Sequence, residues 1–192
     1  MSSLRERIDD LLEDMLADPP RFSPHRDLPF AIVRYDPEDE LAARREILLA
    51  SARLENRGRR AKLVSLGALM WRVVEATKGV EKIVEVERTL GFDYAERTVA
   101  SLLSRQGSIS LPELVAAEAN GLDPNADVLF LVRGAALAPA AYPLSRLLHD
   151  LEGKLAVPVI LFYPGTLEGN SGLNFMNMSD RDPLGDYRVR VY

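Results

Sequence analysis

The chain has 192 residues, 47% hydrophobic and 28% charged, which fits one folded domain with a substantial core over residues 1–192. It has no cysteine, so disulfide frameworks, thiolate nucleophiles and Cys-ligated zinc are excluded, and its net charge of −5 argues against a nucleic-acid footprint spread over the whole surface. No apolar run approaches the roughly 20 residues that span a bilayer, and the first residues are charged rather than signal-like, so a cytoplasmic protein without membrane contact is expected.

In chain order, Ser3 and Glu6 have the spacing of a capping box, and Leu4, Ile8, Leu11, Leu12, Met15 and Leu16 fall on one helical stripe. This predicts a helix over residues 3–17, ended by Asp18-Pro19-Pro20. Its apolar stripe packs either on its own domain or on a partner protein. Leu28 to Tyr35 reads as a strand, and Asp36-Pro37 with the acids behind it opens a helix that runs to about Asn56. Arg57, Arg59, Arg60 and Lys62 then form the most basic stretch of the chain. They read either as a phosphate or nucleic-acid contact or as a solvated turn that complements the helix dipole. Most basic residues here are arginine, with only Lys62, Lys78, Lys82 and Lys154 as lysines. That bias suits carboxylate and phosphate recognition, and it equally suits a GC-rich genome.

Ala61 to Leu66 is a short second strand. From Ala68 to Gln106 the pattern turns helical, broken at Gly79 and Gly91, with the single tryptophan, Trp71, expected in the core. Ser110 and Glu113 repeat the capping-box spacing and open a helix through Ala119. Ala126 to Val132 is a third strand ending in Arg133-Gly134, and Pro143 to Leu151 is a helix with Leu144, Leu147, Leu148 and Leu151 on one face. Val157 to Phe162, interrupted only by Pro158, has the apolar run of a strand buried on both faces, and Tyr163-Pro164-Gly165 is expected to stop it. Leu173 to Met178 and Tyr187 to Tyr192 alternate like half-exposed strands and predict an antiparallel hairpin at the edge of the sheet. Short strands alternating with helices predict a three-layer α/β domain with a mainly parallel, Rossmann-like central sheet. Its strands lie near 30–35, 62–66, 127–132 and 157–162, with a helical insertion from about 68 to 120 and the hairpin at the C-terminal edge.

Catalytic signatures are missing from the sequence. There is no Walker A run, no G-x-G-x-x-G after a strand and no G-x-S-x-G elbow. His25 and His149 lack ligand spacing, and Asp180, Asp182 and Asp186 do not have the spacing of an EF-hand. No catalytic residue, metal or cofactor is therefore expected. At the predicted strand ends, Arg133, Tyr163, Asn170, Ser171 and Asn174 are candidates to converge, where they would either hold an anion or a peptide or satisfy exposed backbone.

Leu129 to Ala135 (LFLVRGA), Pro158 to Gly165 (PVILFYPG), Gly172 to Met176 (GLNFM) and the closing Tyr187-Arg188 resemble the BrxB family, small proteins of the BREX bacteriophage-exclusion systems. The resemblance is best from about Asp127 to Tyr192. It implies a defence component that works with a site-specific DNA methyltransferase, a large ATPase and the alkaline-phosphatase-like protein PglZ. It also implies a non-enzymatic adaptor that binds PglZ, and it carries over no catalytic residue. A nucleic-acid-binding subunit using Arg57, Arg59 and Arg60 is the alternative.

Overall fold

The computed structural model describes residues 2–18, 20–22, 29–105, 109–138, 142–168, 172–178 and 189–192. Within these residues seven α-helices and six strands follow one another as α1 (Leu4–Leu16), β1 (Phe30–Tyr35), α2 (Glu40–Glu55), β2 (Arg60–Ser65), α3 (Leu66–Thr77), α4 (Val80–Leu90), α5 (Phe92–Ser104), α6 (Leu111–Ala119), β3 (Asp127–Val132), α7 (Leu144–Leu151), β4 (Val159–Glu168), β5 (Gly172–Phe175) and β6 (Arg190–Val191). Both capping boxes form, Ser3 with Glu6 on α1 and Ser110 with Glu113 on α6. Ser65 leaves β2 and directly caps α3 by accepting the Ala68 N–H.

The sheet runs β2-β3-β4-β1-β6, and all four ladders between neighbours are parallel. Apolar residues alternate between its two faces. Phe30, Ile32, Leu129, Leu131, Val159 and Leu161 enter one core, which the residues of α3, α5, α6 and α7 complete. Ala31, Val33, Tyr35, Val128, Phe130, Ile160 and Phe162 enter a second core beneath α1 and α2, where the Phe130 and Phe162 rings meet edge to face at 5.1 Å. Two-sided burial explains why the central strands read as unbroken apolar runs. The β1–β2 connection crosses one face, whereas β2–β3 and β3–β4 cross the other. Right-handed crossovers demand this when the chain reverses its direction across the sheet. The result is the three-layer α/β architecture that the sequence predicts.

Three local expectations change. First, β4 does not stop at Tyr163-Pro164-Gly165 but continues to Glu168. After Leu161 it leaves the β3 ladder, stays beside β1 as far as Pro164, and then gains β5 as an antiparallel partner from Gly165 to Glu168. Pro164 keeps its acceptor in use, taking the Met176 N–H at 2.9 Å. Second, the antiparallel hairpin at this end of the chain joins β4 to β5, not residues 173–178 to 187–192. Left-handed φ at Met176 and Asn177 ends β5 early, and the last strand instead runs parallel to β1. Third, Trp71 is 52% exposed. The buried stripe of α3 is Leu66, Leu69, Met70, Val73 and Val74, and Trp71 lies outside it.

Among the described residues no helix is long and apolar enough to cross a membrane.

Candidate functional site

At the carboxyl edge of β3, Arg133 adopts a left-handed backbone (φ 61°, ψ 40°), an unusual conformation for a residue with a β-carbon. The turn is fixed from behind. Gly134 sits so tightly that an added β-carbon would lie 3.2 Å from Leu144 Cδ1 and 3.4 Å from Pro164 Cδ. The Arg133 side chain stays exposed and borders a groove of about 190 Å³ between α2 and the β2–β3 edge. Ala43, Ile47, Leu48, Leu63 and Val132 line the groove with apolar surface, while Tyr35, Glu40 and Arg44 bring polar groups to it. There the Tyr35 hydroxyl donates to Glu40, which also takes a 2.9 Å bond from Arg44 Nε. Burial, and then the Glu40 carboxylate, push the Tyr35 hydroxyl far above its ordinary range, so it remains a donor.

The side chains of Tyr163 and Asn174 do not share the Arg133 groove. Tyr163 is buried in the core under α7, where its hydroxyl donates to the Leu173 carbonyl at 3.3 Å and its ring meets Phe175 edge to face at 5.6 Å. Asn174 is half-buried on β5, and its Oδ1 has no hydrogen-bond donor among the described residues. The structure therefore brings Tyr163 and the β5 backbone together and sets Arg133 apart, on the α2 face of the sheet. Asn170 and Ser171 lie outside the described residues, as do His25, Asp180, Asp182 and Asp186.

The arginine cluster is also divided. Arg60 points its guanidinium at β3, with Nε and Nη2 donating to the two Asp127 oxygens at 3.0 and 2.8 Å. Arg57 borders a separate depression between α1 and α2 that Asp9 and Glu13 also line, and Arg59 is half-buried. Of the three, Arg60 is engaged by a carboxylate and Arg57 shares its depression with two acids. His149 is exposed beside Glu152, and no group of three or more metal-ligating side chains occurs among the described residues.

Sequence reasoning missed two exposed apolar surfaces. On α2, Leu41 and Leu48 are 75% and 61% exposed, seven residues apart on one side of the helix and outside the buried stripe of Ala43, Ile47, Ala50 and Leu54. The signal was present as a second apolar stripe on one helix. The α4–α5 hairpin is the other surface. No residue of α4 is fully buried, and Leu90 and Phe92, on either side of Gly91, are 56% and 57% exposed. In the sequence those residues look like the ordinary apolar face of a helix. The two surfaces lie on opposite sides of the sheet, because α2 belongs to one layer and α5 packs into the other.

No curated protein matches the chain. The family model for the BREX protein BrxB matches residues 62–191, from β2 through β6, well beyond the C-terminal third that first carried the resemblance. The match spans more than half of the sequence and includes the Arg133 turn, the groove's β2–β3 wall, the α4–α5 hairpin and the β4–β5 extension, and so this chain belongs to the BrxB family and is a component of a BREX phage-defence system, working with other BREX proteins.

Proposed function

We propose that the protein is a non-enzymatic adaptor that binds PglZ and links it to another BREX component, such as the ATPase or the methyltransferase. The observation that supports this reading is the pair of exposed apolar surfaces on opposite sides of the sheet, one at Leu48 and Leu63 and one at Leu90 and Phe92. An adaptor needs two faces that can be occupied at once. Exposed apolar clusters, especially when rimmed by charge as Arg44 and Arg133 rim the α2 groove, are what protein interfaces are built on. A nucleic-acid role centred on Arg57, Arg59 and Arg60 has less support, since Asp127 already holds Arg60 and acids face Arg57.

The test is size-exclusion chromatography with light scattering of the protein mixed with PglZ, at low and high salt. A complex that survives high salt is expected, because apolar contacts are not screened. Leu48→Asp or Phe92→Asp should abolish it, one but not the other. Each should leave the melting temperature nearly unchanged, since both side chains are exposed and substitutions at such sites stay within about 0.5 kcal/mol. Separate elution of the unmodified proteins overturns the proposal.

A further inference from the structure

Across the sheet from the α2 groove, a cleft of about 840 Å³ opens between α5 and the start of α7. Four cationic side chains line it, Lys78 at the end of α3, Arg97 within α5, Arg105 just past α5 and Arg146 in the first turn of α7, and no carboxylate lines it. In a chain with more acids than bases this is a local inversion of charge. Elsewhere the cations are commonly paired: Arg53 with Asp9, Arg60 with Asp127, Lys62 and Arg72 with Glu118, Arg190 with Asp14. In the cleft, Lys78, Arg97 and Arg105 form no salt bridge among the described residues, and only Arg146 approaches a carboxylate, Asp150, at 3.7 Å. Complementing the carboxyl ends of α3 and α5 accounts for Lys78 and Arg105. It does not account for Arg97, inside α5, or for Arg146, at the amino end of α7, where a cation is disfavoured.

Two aromatic residues complete the wall. Tyr94 is 48% exposed with the Arg97 guanidinium 6.0 Å from its ring centroid, so one face of the cleft presents a ring beside a cation. Tyr142 is buried and its hydroxyl finds no hydrogen-bond partner among the described residues, although burial and the nearby Asp150 keep it protonated and able to donate. Cations that track a groove, three of these four without a salt bridge among the described residues, with an accessible aromatic ring among them, form the chemistry that holds an unpaired polynucleotide: guanidinium and ammonium groups on phosphates, a base on the ring.

We propose that this cleft binds the phosphate backbone of a single-stranded nucleic acid, with Lys78, Arg97, Arg105 and Arg146 on the phosphates and Tyr94 under a base. This surface is distinct from both apolar faces and from the arginines of residues 57–60, so the adaptor can engage its protein partners and a strand together.

The experiment is fluorescence anisotropy of the full chain with a fluorescein-labelled 12-nucleotide oligo-dT and its oligo-U counterpart, from 50 to 200 mM salt. Neutralising four phosphates of a single strand predicts a log–log salt slope of about −3, and hence an affinity loss of roughly fifty-fold over that range. Arg97→Glu combined with Arg105→Glu should weaken binding at least tenfold, whereas Arg57→Glu combined with Arg59→Glu should leave it unchanged. Tyr94→Ala should weaken binding without changing the salt slope, the mark of lost stacking rather than lost charge. All these side chains are exposed or half-exposed, so circular dichroism should report an unaltered fold. Comparable affinity for both oligonucleotides would identify the strand's phosphates and bases as the ligand, while a preference for oligo-U would identify RNA. The proposal is overturned if no saturable binding occurs at 50 mM salt, if the Arg97/Arg105 variant binds like the unmodified chain, or if polyglutamate of equal charge competes as well as the oligonucleotide. That last result would mark the cleft as a site for an acidic polypeptide.

Discussion

Asp127 is only 3% exposed, and its carboxylate meets three donors: Arg60 Nε, Arg60 Nη2 and, at 2.8 Å, the Asp123 N–H. The Arg60 hydrogen bonds, and then the Asp123 N–H, hold its pKa below the usual carboxylate range, against the opposing effect of burial. The folded value thus lies below the unfolded value of about 3.9. The interaction therefore stabilises the protein fully above about pH 4 and loses its effect as pH falls through the depressed folded pKa. Asp127→Asn is expected to lower the melting temperature at pH 7 and to flatten its dependence on pH below about 4. Arg60→Ala should lower the melting temperature at pH 7 at least as far, because it leaves a nearly buried carboxylate without its cation. Thermal melts from pH 2 to 7 distinguish these outcomes, and an unchanged acid slope in Asp127→Asn would assign the linkage to other groups. The same pair explains why the arginines of residues 57–60 read ambiguously in the sequence: a cation bound to a carboxylate 67 residues away looks identical to one awaiting a phosphate.

The β4–β5 hairpin is the element that departs furthest from the sequence pattern. Gly165 is the tightest point in it. A β-carbon there would collide with the Asn174 carbonyl oxygen and lie 2.7 Å from Tyr163 Cε1. Gly165→Ala must therefore push β5 off β4, at a cost of about 1–3 kcal/mol, typical of overpacking a well-fitted site. Hydrogen exchange should speed up over Gly172–Phe175 while β1 and β3 stay protected. Undiminished stability would show that β5 does not pack this closely. Local signals located most elements: the two Ser/Glu capping boxes placed the starts of α1 and α6, and apolar runs placed β1, β3 and β4. Pairing was not legible in the same way. A turn signal such as Tyr163-Pro164-Gly165 marks where a strand meets a constraint, not whether another strand arrives beyond it. The convergence of Lys78, Arg97, Arg105 and Arg146 was equally hidden, since three helices, α3, α5 and α7, must pack before those charges meet.

At the scale of the whole molecule, the segment before residue 62 is structural, although the family match begins there. β1 lies between β4 and β6, pairing with β4 from Phe30↔Val159 to Tyr35↔Pro164. α1 and α2 cover the face on which Val128, Phe130, Ile160 and Phe162 are fully buried. The last residues are tied into the same layer. Tyr192 donates its N–H to Ile32 and its carbonyl accepts from Arg34 N–H, while its hydroxyl and Arg190 Nη1 both reach Asp14 on α1, at 2.8 and 2.7 Å. Deleting residues 1–61 would leave β4 an open edge, remove the only described partner of β6 and uncover one whole side of the sheet. Exposing four large apolar side chains, each contributing about 1.5–3 kcal/mol when buried, rivals the total stability of an ordinary domain. A fragment of residues 62–192 is thus expected to lack a cooperative thermal transition and to aggregate through its bare face and edge. If it instead melted cooperatively with the far-ultraviolet circular dichroism of the matched elements intact, α1, β1 and α2 would be an attachment to a self-sufficient domain. The α2 groove would then be separable from the rest of the protein, rather than a surface that exists only when both ends of the chain have folded together.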